Sequence, residues 1–170
     1  MHPYRCQICG ESYLGPYAPE RCPFCGAAER HLAAAAEWID YGQQELCEQS
    51  VADVKRAIEL ELNNASFYTC ARHKAQTQIS EAIFARVAKQ EAEHAELLSE
   101  ILGVEMGERP EVHCHENDEE NFAEAHAREK RASIFYLEAA NRAPEPRVQE
   151  VFHALAEIET EHLKISNLYR

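Results

Sequence analysis

From Ser50 to the end of the chain, apolar residues recur at alternating intervals of three and four positions. This spacing places the apolar side chains on one face of a helix. Glycines, prolines and short polar turns interrupt the pattern three times. We therefore predict four helices, which begin near Ser50, whose side chain would form the N-cap, near Gln78, near Asn117 and after Pro146.

The connections between the helices restrict the topology. The first and third are short, which predicts two antiparallel hairpins over 50–102 and 117–170. The second connection, 103–117, could extend about 50 Å, whereas a 24-residue helix is about 36 Å long. A four-helix bundle with one such long crossover is ferritin-like. The predicted fold class is mainly α: a ferritin-like bundle over 50–170 behind a small N-terminal domain.

Residues 1–30 lack the helical period and contain four of the seven cysteines, in two Cys-x-x-Cys pairs each followed by glycine: Cys6, Cys9, Cys22 and Cys25. Twelve residues separate the pairs, and four thiolates at this spacing favour a tetrahedral site for iron or zinc. Two disulfides are the alternative interpretation. We assign 1–30 to a small four-cysteine metal domain and 31–49 to a linker whose alanine-rich start could form a short helix.

Composition excludes several functions. The chain has 17 basic and 30 acidic residues, a net charge of −13, which argues against nucleic-acid binding. Its first residues do not resemble a signal peptide, and no apolar stretch approaches the roughly 20 residues that span a membrane, so we expect neither feature. We expect a cytoplasmic protein, in which Cys47 and Cys70 are ordinary reduced thiols.

The two predicted hairpins are related by a repeat. Residues of the first recur in the second after 68 positions, without a gap: Glu61 and Glu129, Tyr68 and Tyr136, Phe84 and Phe152, Glu91 and Glu159, His94 and His162. Such repeats indicate a duplicated unit that packs against its copy.

The repeat predicts a dinuclear metal site. Each apolar stripe carries a glutamate near its middle, and counting from the hairpin turns places the four carboxylates at one height. Burying unpaired carboxylates costs several kcal/mol each, roughly, and bound cations would remove that cost. A glutamate from two helices and Glu-x-x-His from the other two is a known di-iron or di-manganese ligand set. A lone Glu-x-x-His is more often a solvated pair, but two copies in register are not expected by chance.

Two tyrosines and a loop are further candidates. Tyr68 and Tyr136 follow their glutamates by seven positions and are either core aromatics or hydrogen-bond donors to the ligands. His113-Cys114-His115-Glu116 in the crossover could chelate a metal, although solvated loop residues are the commoner case.

Together, the cysteine pairs and the Glu and Glu-x-x-His pattern resemble the rubrerythrin family, in the reverse arrangement with the rubredoxin-like domain first. The resemblance implies one iron in the four-cysteine site, an oxo-bridged di-iron centre in the bundle, and reduction of hydrogen peroxide or dioxygen. It also implies electrons from an external donor, a rubredoxin or a rubredoxin reductase-like protein, in a head-to-tail homodimer.

The sequence departs from that family at one position. Rubrerythrin peroxidases carry an extra glutamate one turn after the third-helix ligand, where this chain has Ala132. His126, three residues before Glu129, could act as a supplementary ligand or proton donor, or be a hydrogen-bonded core histidine. Two rival functions remain: a ferroxidase that handles iron, and a zinc-ribbon interaction protein with a structural bundle.

Overall fold

The computed structural model describes residues 1–169, so Arg170, the last residue of the predicted second hairpin, lies outside it. Four long helices fill most of the chain: α1 Glu48–Lys74, α2 Gln78–Leu102, α3 Asp118–Arg142 and α4 Pro146–Tyr169. α1 packs along α2 and α3 along α4, and 103–117 crosses between the two pairs. The predicted ferritin-like bundle is confirmed. None of these helices is both long and apolar enough to cross a membrane.

Aromatic side chains pack on both sides of the bundle's middle. The ring centroids of Phe84 and Phe122 are 4.5 Å apart, and those of Tyr136 and Phe152 are 5.8 Å apart. These four side chains are at most 2% exposed. These large buried rings exclude water from the middle of the bundle. The charged residues of the four apolar stripes lie there, on the helical turns between the two aromatic groups.

A three-stranded antiparallel sheet supports the N-terminal domain. Its strands are β1 His2–Cys6, β2 Ser12–Gly15 and β3 Leu32–Ala34, in the order β2-β1-β3. β3 pairs with β1 and therefore belongs to the sheet, although 31–49 was predicted to be a linker with a helical start. The Trp38 indole N–H also donates to the carbonyl of Cys6 at 3.0 Å. Ala33 and Ala34 pair as a strand because β1 offers them a free edge, and the short helix is limited to one 3-10 turn, Ala35–Glu37.

The N-terminal domain packs on the bundle of its own chain. Arg147 of α4 donates to the carbonyls of Gln7 and Ile8, the latter at 3.3 Å. Arg21 bonds the carboxylate of Glu157, also on α4, at 3.2 Å. Buried side chains of the two parts form one continuous apolar core.

The start of α1 differs from the prediction. Cys47 is the N-cap, and its sulfur accepts the N–H of Ser50. The Ser50 hydroxyl instead donates to Glu145, just before α4. A tertiary contact thus replaces the local cap that the sequence predicted.

The structure contains one disulfide within residues 1–169, and it contradicts the prediction that Cys70 is a reduced thiol. Cys70 of α1 bonds to Cys114 of the crossover, with their Cα atoms 5.8 Å apart. Cys47 has no disulfide partner. The bond fixes the crossover against the aromatic cluster around Phe67 and Phe122.

We expect reduction of this disulfide, or the substitution Cys70→Ser, to lower the free energy of unfolding by about 2–4 kcal/mol, because it closes a long loop in the unfolded chain. Thermal melts with and without reductant measure this. Cys47→Ser is the control: serine keeps an N-cap acceptor, and reductant should lower the melting temperature of this variant as much as it lowers that of the wild type. Equal melting of oxidised and reduced protein would show that the bond contributes no stability.

Candidate metal centres

The two Cys-x-x-Cys pairs form a unit that we call the knuckle. Its four cysteines meet in one cluster. The sulfurs of Cys6 and Cys25 are 3.8 Å apart, as are those of Cys9 and Cys22, and all four fit within 4.8 Å. None is bonded as a disulfide, which rules out the alternative of two disulfides in this structure. Hydrogen bonding to the other three thiols, first of all Cys25, lowers the pKa of the Cys22 thiol. The cluster has the composition and closeness of a tetrahedral four-thiolate site.

Glycine is required where each cysteine pair turns back. Gly10 and Gly26 have φ values of +78° and +87°, which L side chains rarely adopt. A Cβ atom on Gly26 would also lie 3.1 Å from the amide nitrogen of Gln90 and 3.3 Å from Ile158. Gly26 thus allows the knuckle to approach the bundle closely.

Inside the bundle, the structure brings together all six predicted side chains. Glu61, Glu91, His94, Glu129 and Glu159 are fully buried, and His162 is 4% exposed. Two sets of four can each offer ligand atoms within 4.8 Å: Glu61, Glu91, His94 and Glu159 form one, and Glu91, Glu129, Glu159 and His162 form the other. Glu91 and Glu159 belong to both sets, so these two carboxylates can bridge a pair of cations.

The hydrogen bonding shows that these residues fit metal ions. Six of their buried atoms have no hydrogen-bond partner: Glu61 Oε2, both oxygens of Glu91, His94 Nδ1, Glu129 Oε2 and Glu159 Oε1. Unpaired polar atoms are rare in protein interiors and call for an explanation. Carboxylate oxygens and imidazole nitrogens converging on one point are the donors that iron and manganese accept. The cluster is therefore suited to a di-iron centre.

Two tyrosines reach from one hairpin to the other and bond the carboxylates that belong to only one ligand set, those of Glu61 and Glu129. Tyr68 of α1 donates to Oε1 of Glu129 on α3, and Tyr136 of α3 donates to Oε1 of Glu61 on α1. Burial, followed by the charge of the partner glutamate, raises the pKa of both phenols well above the usual value. Each phenol therefore keeps its proton and leaves Oε2 of its glutamate facing the centre.

Burial and mutual repulsion raise the pKa values of several groups in this cluster. Burial and the charges of Glu91 and Glu159 raise the pKa of Glu61 and of Glu129 well above the usual value. Burial disfavours the charged form of His162, but the neighbouring Glu159 outweighs it and raises the pKa of His162 to about 9. Protons and cations therefore compete for this cluster.

The two histidines are anchored differently through Nε2, which leaves Nδ1 facing the centre in both. His94 Nε2 lies 2.8 Å from the carbonyl of Cys25 in the knuckle. His162 Nε2 lies 3.0 Å from the side-chain oxygen of Gln90. Sequence analysis missed Gln90, for which the only signal is that its repeat equivalent is the apolar Ile158.

Other predicted candidates lie outside the two ligand sets. His126 is half-buried, and its Nδ1 lies 3.4 Å from the hydroxyl of Ser166. Ala132, which replaces the family's extra glutamate, is fully buried. Cys114 is bonded to Cys70 in the disulfide. Within residues 1–169, the crossover segment around it forms no group of three metal-binding side chains.

Comparison with known proteins agrees with this arrangement. A family model described as rubrerythrin matches residues 54–167, and a model for the rubredoxin-like domain of rubrerythrin matches residues 4–32. The chain is 30% identical over 115 residues to reverse rubrerythrin-1 of Clostridium acetobutylicum. That match covers 61% of this chain and 63% of the relative, which is less than two thirds of the relative's length.

We expect ferrous or manganous ions to raise the melting temperature of the metal-free protein. Because folding raises the pKa of Glu61 and Glu129, their repulsion opposes folding as the pH rises through those raised values, and cations relieve it. The stabilisation should therefore grow with pH. At a free metal concentration about 100 times Kd it would reach about 2.7 kcal/mol. Glu159→Gln should abolish it, whereas Glu138→Gln on the surface of α3 should not. Equal stabilisation of both variants would exclude the cluster as the binding site.

We expect Gln90→Leu to weaken metal binding in the His162 set by about 10–100-fold, because the ring loses the acceptor that orients it. Calorimetric titration with cobalt should then resolve one tight and one weak ion. Gln90→Glu retains an acceptor and should restore the weak site. Two equally tight ions in Gln90→Leu would show that the contact is incidental.

Proposed function

Since this chain belongs to the rubrerythrin family, we propose that it is a peroxidase: an oxidoreductase that reduces hydrogen peroxide to water at a di-iron centre in its bundle. Glu61, Glu91, His94, Glu129, Glu159 and His162 would hold the two irons. Cys6, Cys9, Cys22 and Cys25 would hold a third iron, which accepts and passes on single electrons. Dioxygen is the second oxidant that such a centre could reduce.

The contact between His94 and Cys25 carries this proposal. The His94 Nε2–H donates to the carbonyl of a knuckle cysteine, while Nδ1 of the same ring faces the carboxylates. One imidazole thus connects the two candidate metal sites within a single chain. A zinc ribbon that only stabilised the fold would have no need of this connection, whereas a one-electron carrier feeding the bundle requires a short path.

Peroxide reduction needs electrons, protons and a site closed to bulk water, and the chain's own residues supply the last two. Reduction of one hydrogen peroxide to two waters consumes two electrons and two protons. When bound, the two irons supply the electrons and act as Lewis acids on the departing oxygens. Burial of all six ligand side chains excludes bulk water. Tyr68 and Tyr136 hold protons at their hydroxyls and fix the orientation of Glu129 and Glu61.

His126 stays a candidate proton donor. It lies on α3 one turn before Glu129, and its ring contacts Ser166 of α4. If His126 is a proton donor, His126→Ala should lower peroxide turnover and leave the iron spectrum unchanged. If it is a core histidine, the variant should leave both unchanged.

The proposal also includes an external one-electron donor, a homodimer and a cytoplasmic location.

We expect the iron-loaded protein to be red from its Fe(Cys)₄ site and to consume peroxide when supplied with a reductant. Cys9→Ser should lose the colour and almost all steady-state turnover. After chemical reduction of the bundle, however, the same variant should still reduce one equivalent of peroxide, because its bundle ligands are intact.

The matched control is Cys47→Ser, which removes a thiol that belongs to neither site. Colour and turnover should be retained. A colourless knuckle that contains zinc would contradict the electron-transfer role. Iron uptake into mineral without peroxide consumption would favour a ferroxidase instead.

A further inference from the structure

A cleft between the knuckle and the bundle concentrates positive charge in this acidic protein. It has a volume of about 780 Å³. We call it the basic cleft, and its defining residues are Pro23, Phe24, Arg72, Arg86, Lys89 and Arg109. Four of the chain's 17 basic residues thus line one surface, against two acidic ones, Glu93 and Glu96, although acids outnumber bases across the whole chain.

Three of these four cations have no ion-pair partner among residues 1–169. Among residues 1–169, no carboxylate lies within ion-pair distance of Arg86, Lys89 or Arg109. Arg72 has one distant contact, 3.7 Å from Glu81, and both side chains are about half exposed. Other surface arginines, such as Arg21 and Arg30, pair with Glu157. The basic cleft therefore keeps a positive potential that a negative ligand can use.

The basic cleft also reaches the candidate electron carrier. Pro23 and Phe24 lie between the two cysteines of the second pair and form one wall of the cleft. Cys9 is the one cysteine of the four that is not fully buried. A molecule seated here would contact the cover of the four-cysteine site directly.

We propose that the basic cleft is the docking surface for an acidic electron-donor protein that presents a one-electron centre to the knuckle. This rests on the proposed function. A Fe(Cys)₄ site takes up one electron at a time, whereas a nicotinamide gives up electrons in pairs as hydride. A chain of net charge −13 repels an acidic partner overall, and the basic cleft is a surface beside the knuckle where this repulsion is replaced by attraction. Charge complementarity thus selects both the surface and the partner.

The test uses flavodoxin hydroquinone, an acidic flavoprotein that releases single electrons, and follows reduction of the oxidised knuckle by stopped-flow absorbance. In each turnover one electron leaves the flavin hydroquinone, giving the semiquinone and a proton, and reduces one ferric Fe(Cys)₄. Arg86→Glu with Lys89→Glu should slow this reaction at low salt by about tenfold or more. The rate of the wild type should fall steeply with salt, and that of the variant should not.

The control variant, Lys55→Glu with Arg131→Glu, changes the net charge equally on exposed parts of α1 and α3 outside the basic cleft. It should react like the wild type. Reduced methyl viologen, a small cation, should reduce the knuckle of all three proteins at rates that differ little, which shows that each is folded and loaded.

Equal slowing of both variants would overturn the assignment, because only net charge would then matter. Reduction of the wild type by NADH alone, lost in Arg86→Glu with Lys89→Glu, would assign the basic cleft to a dinucleotide and also overturn it. Peroxide reduction by the chemically reduced bundle is measured separately, so failure of the docking surface and failure of the peroxidase function give different results.

Discussion

Mutual repulsion of four buried carboxylates governs this structure. Glu61, Glu91, Glu129 and Glu159 lie in the dry middle of the bundle, where burial makes their shared negative charge costly. Tyrosine hydroxyls occupy one oxygen of each of two carboxylates, and the histidines turn their Nε2 atoms away to other partners. Each of these contacts decides which atom is left facing inward. The arrangement fits a site whose negative charge is balanced by bound cations.

Much of this could be predicted from sequence because the signals are periodic. Helical spacing indicated four helices, and one constant offset placed six candidate ligands and two tyrosines in register. The misses share a cause. Pairing of β3, the contact of Ser50 with Glu145 and the bond from Cys70 to Cys114 depend on where distant segments come to rest, and no local pattern carries that information. Gln90 was missed because it acts only through the ring of His162, a contact between two helices.

The N-terminal domain is held against the bundle by direct contacts with α2 and α4. Arg147 and Glu157 of α4 hold the knuckle from one side, and Gly26 lets its backbone approach α2 and α4 without a side chain between them. The inner face of the knuckle thus contacts His94, while its outer face borders the basic cleft. The N-terminal domain therefore has one side against the buried cluster and one side open to solvent.

The anchoring of the two histidines separates positions that the repeat would make alike. Two identical hairpins would orient both histidines in the same way. Here one ring is held by the main chain of the N-terminal domain, and the other by an amide side chain of α2. The two halves of the cluster therefore differ in how firmly their histidine is oriented, although one constant offset relates them along the chain.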